Sequence, residues 1–126
     1  MIVGTGTDLM EIVRVQAAID RYGTRFLDRV FTAAEIAYCH RKKKTSAESF
    51  AARFAAKEAG AKALGTGISR GVSWREIEVV RRCGERPELL LHGRAAERAR
   101  ALGAIRTHLS LTHGRQTAMA VVLLEA

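Results

Sequence analysis

The chain has little of what marks secreted, membrane-spanning or metal-cluster proteins. Its only cysteines, Cys39 and Cys83, are not spaced as metal ligands and have no secretory context. That excludes a disulfide framework and a Cys-ligated zinc site, and both are read as reduced thiols, Cys39 in the core. No apolar run approaches the ~20 residues that cross a bilayer, and the start of the chain shows no signal-peptide pattern, so no membrane association and a cytoplasmic location are expected. Aromatic residues make up only 6% and are not interleaved with the basic ones, which argues against a base-stacking surface. No G-x-G-x-x-G run, internal repeat, low-complexity segment or linker is found. Residues 1–126 are therefore expected to form one domain, large enough to bury a core.

Acidic residues are also short. Thirteen Asp and Glu stand against 21 Lys and Arg, a net charge of +8. A balance of this kind points to an acidic partner: nucleic acid, an anionic surface, a phosphorylated ligand or an acidic protein.

What is abundant is alanine, concentrated in Ser46–Gly67, SAESFAARFAAKEAGAKALGTG. The spacing predicts a long helix. Thr45 and Glu48 read as a capping box at its start, and Gly65 as its left-handed stop. Wound at ~100° per residue, Phe50, Phe54, Ala61 and Leu64 share one side. Ala51, Ala52, Ala55, Ala56, Ala59, Gly60 and Ala63 cover most of the other. A helix apolar nearly all round is buried, yet this one carries Arg53, Lys57, Glu58 and Lys62. Glu58 and Lys62, one turn apart, have two readings. They form an i,i+4 ion pair on a solvated strip, or they stand on the rigid wall of a binding site.

The rest of the chain alternates helix and strand patterns. Ile2–Asp8 reads as a strand whose Gly4 and Gly6 allow close approach by another element, with Asp8 at its end as a turn or N-cap residue. Glu11–Tyr22 reads as an amphipathic helix, with Arg14 and Arg21 on one face, followed by further helical turns over Thr24–Val30. Thr32 and Glu35 form a second capping box, opening a helix to about Lys42. His40-Arg41-Lys42-Lys43-Lys44 is a basic block ahead of the central helix, either a solvated loop or a phosphate contact. Strand patterns follow over Trp74–Arg82 and Glu88–His92, then a short charged helix over Gly93–Leu102. Two more strands cover Arg106–Thr112 and Thr117–Leu124. The expected fold class is α+β, an antiparallel sheet packed against a long central helix and shorter helices.

Three runs in this order are recognisable together: Gly4-Thr5-Gly6-Thr7-Asp8, then Arg53-Phe54-Ala55-Ala56-Lys57-Glu58-Ala59 with Lys62-Ala63-Leu64-Gly65-Thr66-Gly67, then Ser110-Leu111-Thr112-His113. With Glu11-Ile12, Arg14, Phe31-Thr32, Glu35, Trp74 and Pro87, the chain resembles the bacterial holo-[acyl-carrier-protein] synthases, a family of 4′-phosphopantetheinyl transferases. The resemblance implies transfer of phosphopantetheine from coenzyme A to a serine of acyl carrier protein, leaving adenosine 3′,5′-bisphosphate. It implies Mg2+ held by Asp8 and Glu58, and catalytic roles for Glu58 and Lys62. It implies coenzyme A contacts from Arg53, Lys62, Gly65, His113 and Lys44. Arg14 and Arg21 become a dock for the acidic carrier protein, and a homotrimer with sites between subunits is expected. The base that accepts the serine proton stays open between Glu58 and a metal-bound water. Two positions depart from the family's habit: the turn Cys83-Gly84-Glu85-Arg86 lacks its Asn or Asp, and Gly114 stands where Ser is common. The competing reading is a small basic nucleic-acid-binding domain, which explains the charge but not two carboxylates on converging elements. A fold-keeping but inactive binding protein is a third.

Overall fold

The computed structural model describes residues 1–126. Strand β1 (Ile2–Glu11) leads into three helices, α1 (Ile12–Tyr22), α2 (Thr24–Val30) and α3 (Ala33–Arg41). The 19-residue α4 (Ser46–Leu64) follows, then the short strands β2 (Ile77–Val80) and β3 (Glu88–Leu91). Helix α5 (Gly93–Ala101) precedes the hairpin of β4 (Arg106–His113) and β5 (Thr117–Glu125). The α+β expectation holds. The strands form two antiparallel sheets rather than one: β1-β5-β4, and the ribbon β2-β3.

Helix α4 lies between these parts, which explains why it is apolar nearly all round. Toward the three-stranded sheet its backbone packs directly on β1. A Cβ on Gly4 would collide with the Ala63 carbonyl, and one on Gly6 with the Ala59 carbonyl. These two glycines are the close approach that the sequence pointed to. On another side, Gly60 of α4 admits Ile77 and Leu89 of the ribbon, and a Cβ there would sit 2.9 Å from the Ile77 side chain. Around the N-terminal half of α4, Phe50 packs with Phe31, Leu27, Val30 and Cys39 from α2, α3 and the chain between them. Burying each of the larger side chains contributes about 1.5–3 kcal/mol. Burial drives the Cys39 thiol up to about 12 and leaves it inert, while Cys83 is exposed.

The ends of α4 behave differently. Gly65 closes the helix in the left-handed region, as expected (φ 78°). At the start, the Thr45–Glu48 capping box does not form. The chain enters through a 3₁₀ turn over Lys43–Thr45, which leaves Thr45 at φ −103°, ψ 19° rather than extended. Its hydroxyl instead donates to the Lys42 carbonyl at 3.3 Å. The Thr32–Glu35 box, where Thr32 is extended, forms in full.

Candidate active site

Asp8 is not a helix cap. It lies inside β1, opposite Ala120 of β5, and α1 starts four residues later with no side-chain cap. Directly paired residues share a sheet face, and Ala118 and Ala120 are fully buried against α4. Asp8 therefore points toward the helix that carries Glu58 and Lys62.

Asp8 and Glu58 line one cleft of about 430 Å³, together with Met10, Arg14, Phe26 and Phe54. Lys62 contacts Asp8 from outside this lining. Its ammonium donates to Asp8 Oδ1 at 3.1 Å and to the Thr7 carbonyl at 3.0 Å. The i,i+4 pair of Glu58 with Lys62 does not form; β1 supplies a better-placed carboxylate. Glu58 Oε2 instead accepts from the indole N–H of Trp74 at 3.1 Å. Asp8 Oδ2 is buried and has no hydrogen-bond partner. A buried carboxylate oxygen left unmatched is costly, so this atom marks where a cation or donor is wanted. No group of three or more His, Cys, Asp or Glu residues is placed to hold a metal. Asp8 and Glu58 are thus a two-carboxylate, all-oxygen donor set.

The other expected site residues lie further off. Lys44 is exposed on the basic turn, 14 residues before Glu58 and so about 20 Å away along the helix axis. Arg53 is buried, 4% exposed, with its guanidinium 4.1 Å from the centre of the Tyr38 ring. Its Nη1 donates to the Ser49 carbonyl at 3.4 Å, and its Nε has no partner. Lys42 lies 5.0 Å from the same ring. Burial raises the Tyr38 phenol, but Lys42, Arg53 and Arg81 outweigh that and hold it below its usual value. His113 ends β4, exposed, opposite Ala118, which in turn opposes Met10. That places it two strand spacings, roughly 10 Å, across the sheet from β1. Gly65 caps α4 beside Arg98, whose Nε donates to the Leu64 carbonyl at 2.9 Å. Arg14 lies on the rim of the Asp8–Glu58 cleft, 76% exposed, with Glu11 at 3.9 Å. Arg21 is exposed beside the Tyr22 ring. One chain thus unites Asp8, Glu58, Lys62 and Arg14, keeps Gly65 one turn beyond Lys62 with its N–H on the Lys62 carbonyl at 3.0 Å, and leaves Lys44, Arg53, His113 and Arg21 apart from them.

Sequence reasoning missed two features. Glu35, read as a capping residue, also forms a buried ion pair with Lys57 at 2.7 Å, both side chains at zero exposure. The indole of Trp74 is the donor to Glu58, and nothing in the spacing of the two residues links them. The signal available for Lys57 was a lysine on a helix with no solvated face.

Known proteins resemble the chain in both sequence and fold. A model of the 4′-phosphopantetheinyl transferase superfamily matches residues 4–121. The holo-[acyl-carrier-protein] synthase of Koribacter versatilis is 52% identical over 125 residues, covering 99% of each chain. That of Nitratidesulfovibrio vulgaris is 50% identical over 127 residues, covering all of both. The crystal structure of the Neisseria meningitidis synthase superposes with a TM-score of 0.88 at 35% identity over the whole of both chains. The Helicobacter pylori synthase in complex with coenzyme A gives 0.83 at 30% identity, covering 96% of this chain and 99% of that one. The chain belongs to the holo-[acyl-carrier-protein] synthase family, within the 4′-phosphopantetheinyl transferase superfamily.

Proposed function

We propose that this enzyme transfers 4′-phosphopantetheine from coenzyme A to a serine of apo-acyl carrier protein, with Mg2+ held by Asp8 and Glu58. The observation that carries the reading is the unpartnered, buried Asp8 Oδ2 in one cleft with a second carboxylate, its other oxygen paired with a lysine. Family membership favours this over nucleic-acid binding, and a carboxylate-lined cleft is a poor seat for a phosphate backbone.

In the reaction, serine Oγ forms a bond to the phosphorus that carries pantetheine. The bond from that phosphorus to the bridging pyrophosphate oxygen breaks, and adenosine 3′,5′-bisphosphate leaves. Mg2+ fits the donor set, since it prefers oxygen, takes one or two carboxylates and keeps sites for water and phosphate. When bound, it screens the pyrophosphate and stabilises charge growing on the leaving group. Lys62 is 55% exposed beside Asp8. Its ammonium, on a flexible four-carbon stem, would be free to contact a pyrophosphate bound beside Asp8. Glu58 is this chain's own candidate to accept the serine proton. Arg14, on the cleft rim, and Arg21 favour an acidic carrier; charge matching of that kind mainly raises the on-rate.

A homotrimer with sites between subunits belongs to the same proposal. The face of the β1-β5-β4 sheet turned away from α4 carries Leu9, Met119, Val121 and Leu123. Leu9 is 67% exposed. Apolar faces of this kind mark interaction surfaces. A neighbouring chain would also bring residues such as Arg53, His113 and Lys44 toward a cleft they do not reach within one chain.

An intact-mass assay tests the reading. The protein is mixed with an apo-carrier, coenzyme A and Mg2+, with an EDTA control. A carrier mass increased by one phosphopantetheine, and unchanged under EDTA, is expected. No gain with several folded apo-carriers, together with no coenzyme A binding, would overturn it. Sedimentation of the same sample is expected at the trimer mass, and a monomer would remove the shared site.

A further inference from the structure

The two carboxylates of the cleft are held in unlike ways. Asp8 is met by a cation, Lys62, that is more than half exposed and free to turn elsewhere. Glu58 is met by a neutral donor, the indole N–H of Trp74 at 3.1 Å. That donor is anchored through its own backbone and ring. Trp74 lies in the 3₁₀ turn Trp74–Glu76, and its carbonyl accepts from Lys57 Nζ at 3.1 Å. The same ammonium reaches the Ile77 carbonyl at 2.9 Å and is fixed by Glu35 at 2.7 Å, all without solvent exposure. The indole ring is held edge-on by Phe54, centroids 5.9 Å apart at 87°, and Phe54 itself lines the cleft with Glu58.

We propose that Trp74 is a positioning residue for Glu58: its indole N–H fixes the carboxylate in the orientation that binds the cation. This rests on the reading of Glu58 as a magnesium ligand. A neutral donor suits that task. A lysine or arginine in its place would orient the carboxylate equally well but would cancel the charge that attracts the cation. The indole restrains one oxygen and leaves the net charge of −1 available. Successive residues on α4 thus share one device. Lys57, pointing inward, pins the backbone of Trp74. Trp74 then reaches back to Glu58, on the open side.

Trp74→Phe keeps the ring contact with Phe54 and removes only the donor. Outer hydrogen-bond partners of metal ligands are worth about 10–100-fold in metal affinity or activity, and a half-buried one belongs at the lower end. The magnesium concentration for half-maximal turnover is expected to rise roughly tenfold. Turnover at saturating magnesium should fall by less than the magnesium affinity does, the remaining loss reading the second task of Glu58 in accepting the serine proton. Manganese binding without coenzyme A, followed by calorimetry, should weaken by the same factor as the magnesium requirement. Magnesium and manganese curves that superimpose on those of the natural chain would overturn the proposal. A second measurement needs no variant at this position. Trp74 is the only tryptophan, so emission reads this indole alone. Magnesium added to the natural chain should change the emission saturably, with the midpoint of the activity curve; no change at concentrations that saturate turnover would overturn the proposal. Glu58→Gln separates the two levels. A Glu58→Gln enzyme with normal turnover and magnesium response removes Glu58 from the site, and the inference falls with that reading. A Glu58→Gln enzyme that has lost both, beside an unaffected Trp74→Phe, removes the inference alone.

Discussion

Lys57 and Glu58 are neighbours in the chain and opposites in the molecule. Lys57 is fully buried and every contact it makes is answered: Glu35 by charge, the Trp74 and Ile77 carbonyls by hydrogen bonds. Burial pulls its ammonium below the usual lysine value, and Glu35 opposes that shift. Glu58 faces a cleft, holds one neutral donor, and shares that cleft with an Asp8 oxygen that has no partner. Both look alike in sequence, as charges on an alanine-rich helix. The difference is satisfaction. A charge whose partners are complete holds the fold together, and one whose partners are incomplete is available for chemistry.

The largest effects should cross between these two residues. Glu58→Ala is expected to lower turnover on the order of 100- to 1,000-fold, the range for losing one preorganised electrostatic contact, with the thermal midpoint little changed. Circular-dichroism melts and single-turnover transfer measure the two arms. Normal turnover would place Glu58 with the structural charges. Lys57→Met should do the reverse, because it strands Glu35 in the core. Breaking a buried pair costs about 3–5 kcal/mol, or roughly 10 °C or more for a chain of this size. Activity per folded molecule should survive better than stability. Adding Glu35→Leu should not restore the loss, as it can for a simple ion pair. Glu35 also accepts from the Thr32 and Val79 backbone N–H groups, both at 2.8 Å, and the double variant would strand these two donors and take the lysine donor from the Trp74 and Ile77 carbonyls. Full recovery would show that the charges matter and the backbone contacts do not.

The same contrast explains what the sequence could disclose. The length of α4, its Gly65 stop and the close approach at Gly4 and Gly6 follow from local rules: periodicity, left-handed φ, absence of a Cβ. The two-sided burial of α4 was readable from its composition, though the separate β2-β3 ribbon that completes it was not. Partner choice was not readable. The spacing of Glu58 and Lys62 permits a pair, but Lys62 is taken by Asp8, 54 residues away, because the register of β1 against β5 brings that carboxylate to the helix. Glu35 satisfied its local capping signal completely, so nothing suggested a second role 22 residues on. The Thr45–Glu48 motif was present in letters and absent in space, because the preceding lysine turn sets Thr45 in the wrong conformation. Asp8 and Glu58 were joined by family resemblance rather than by any periodicity.

Glu78 stands between the two regimes, and its effect should be the smallest. Its Oε2 accepts from the Thr32 hydroxyl at 2.8 Å, and its Oε1 lies 2.9 Å from His92 Nε2. Burial pushes its carboxyl up, but the Thr32 and His92 contacts and the Lys57 charge outweigh burial and leave it below its ordinary value of 4.5. Between that depressed value and 4.5 the unfolded chain binds more protons at this group than the folded one, so stability rises with pH there. Its contribution is therefore complete above about pH 4.5 and is lost as the pH falls through the folded value. Glu78→Gln should cost about 1 kcal/mol at neutral pH, a typical hydrogen-bond loss, and the gap between variant and natural chain should close in acid. Denaturant melts at neutral and acid pH measure it. A gap that stays constant across that range would mean the carboxylate charge contributes nothing, and that Glu78 acts through shape alone.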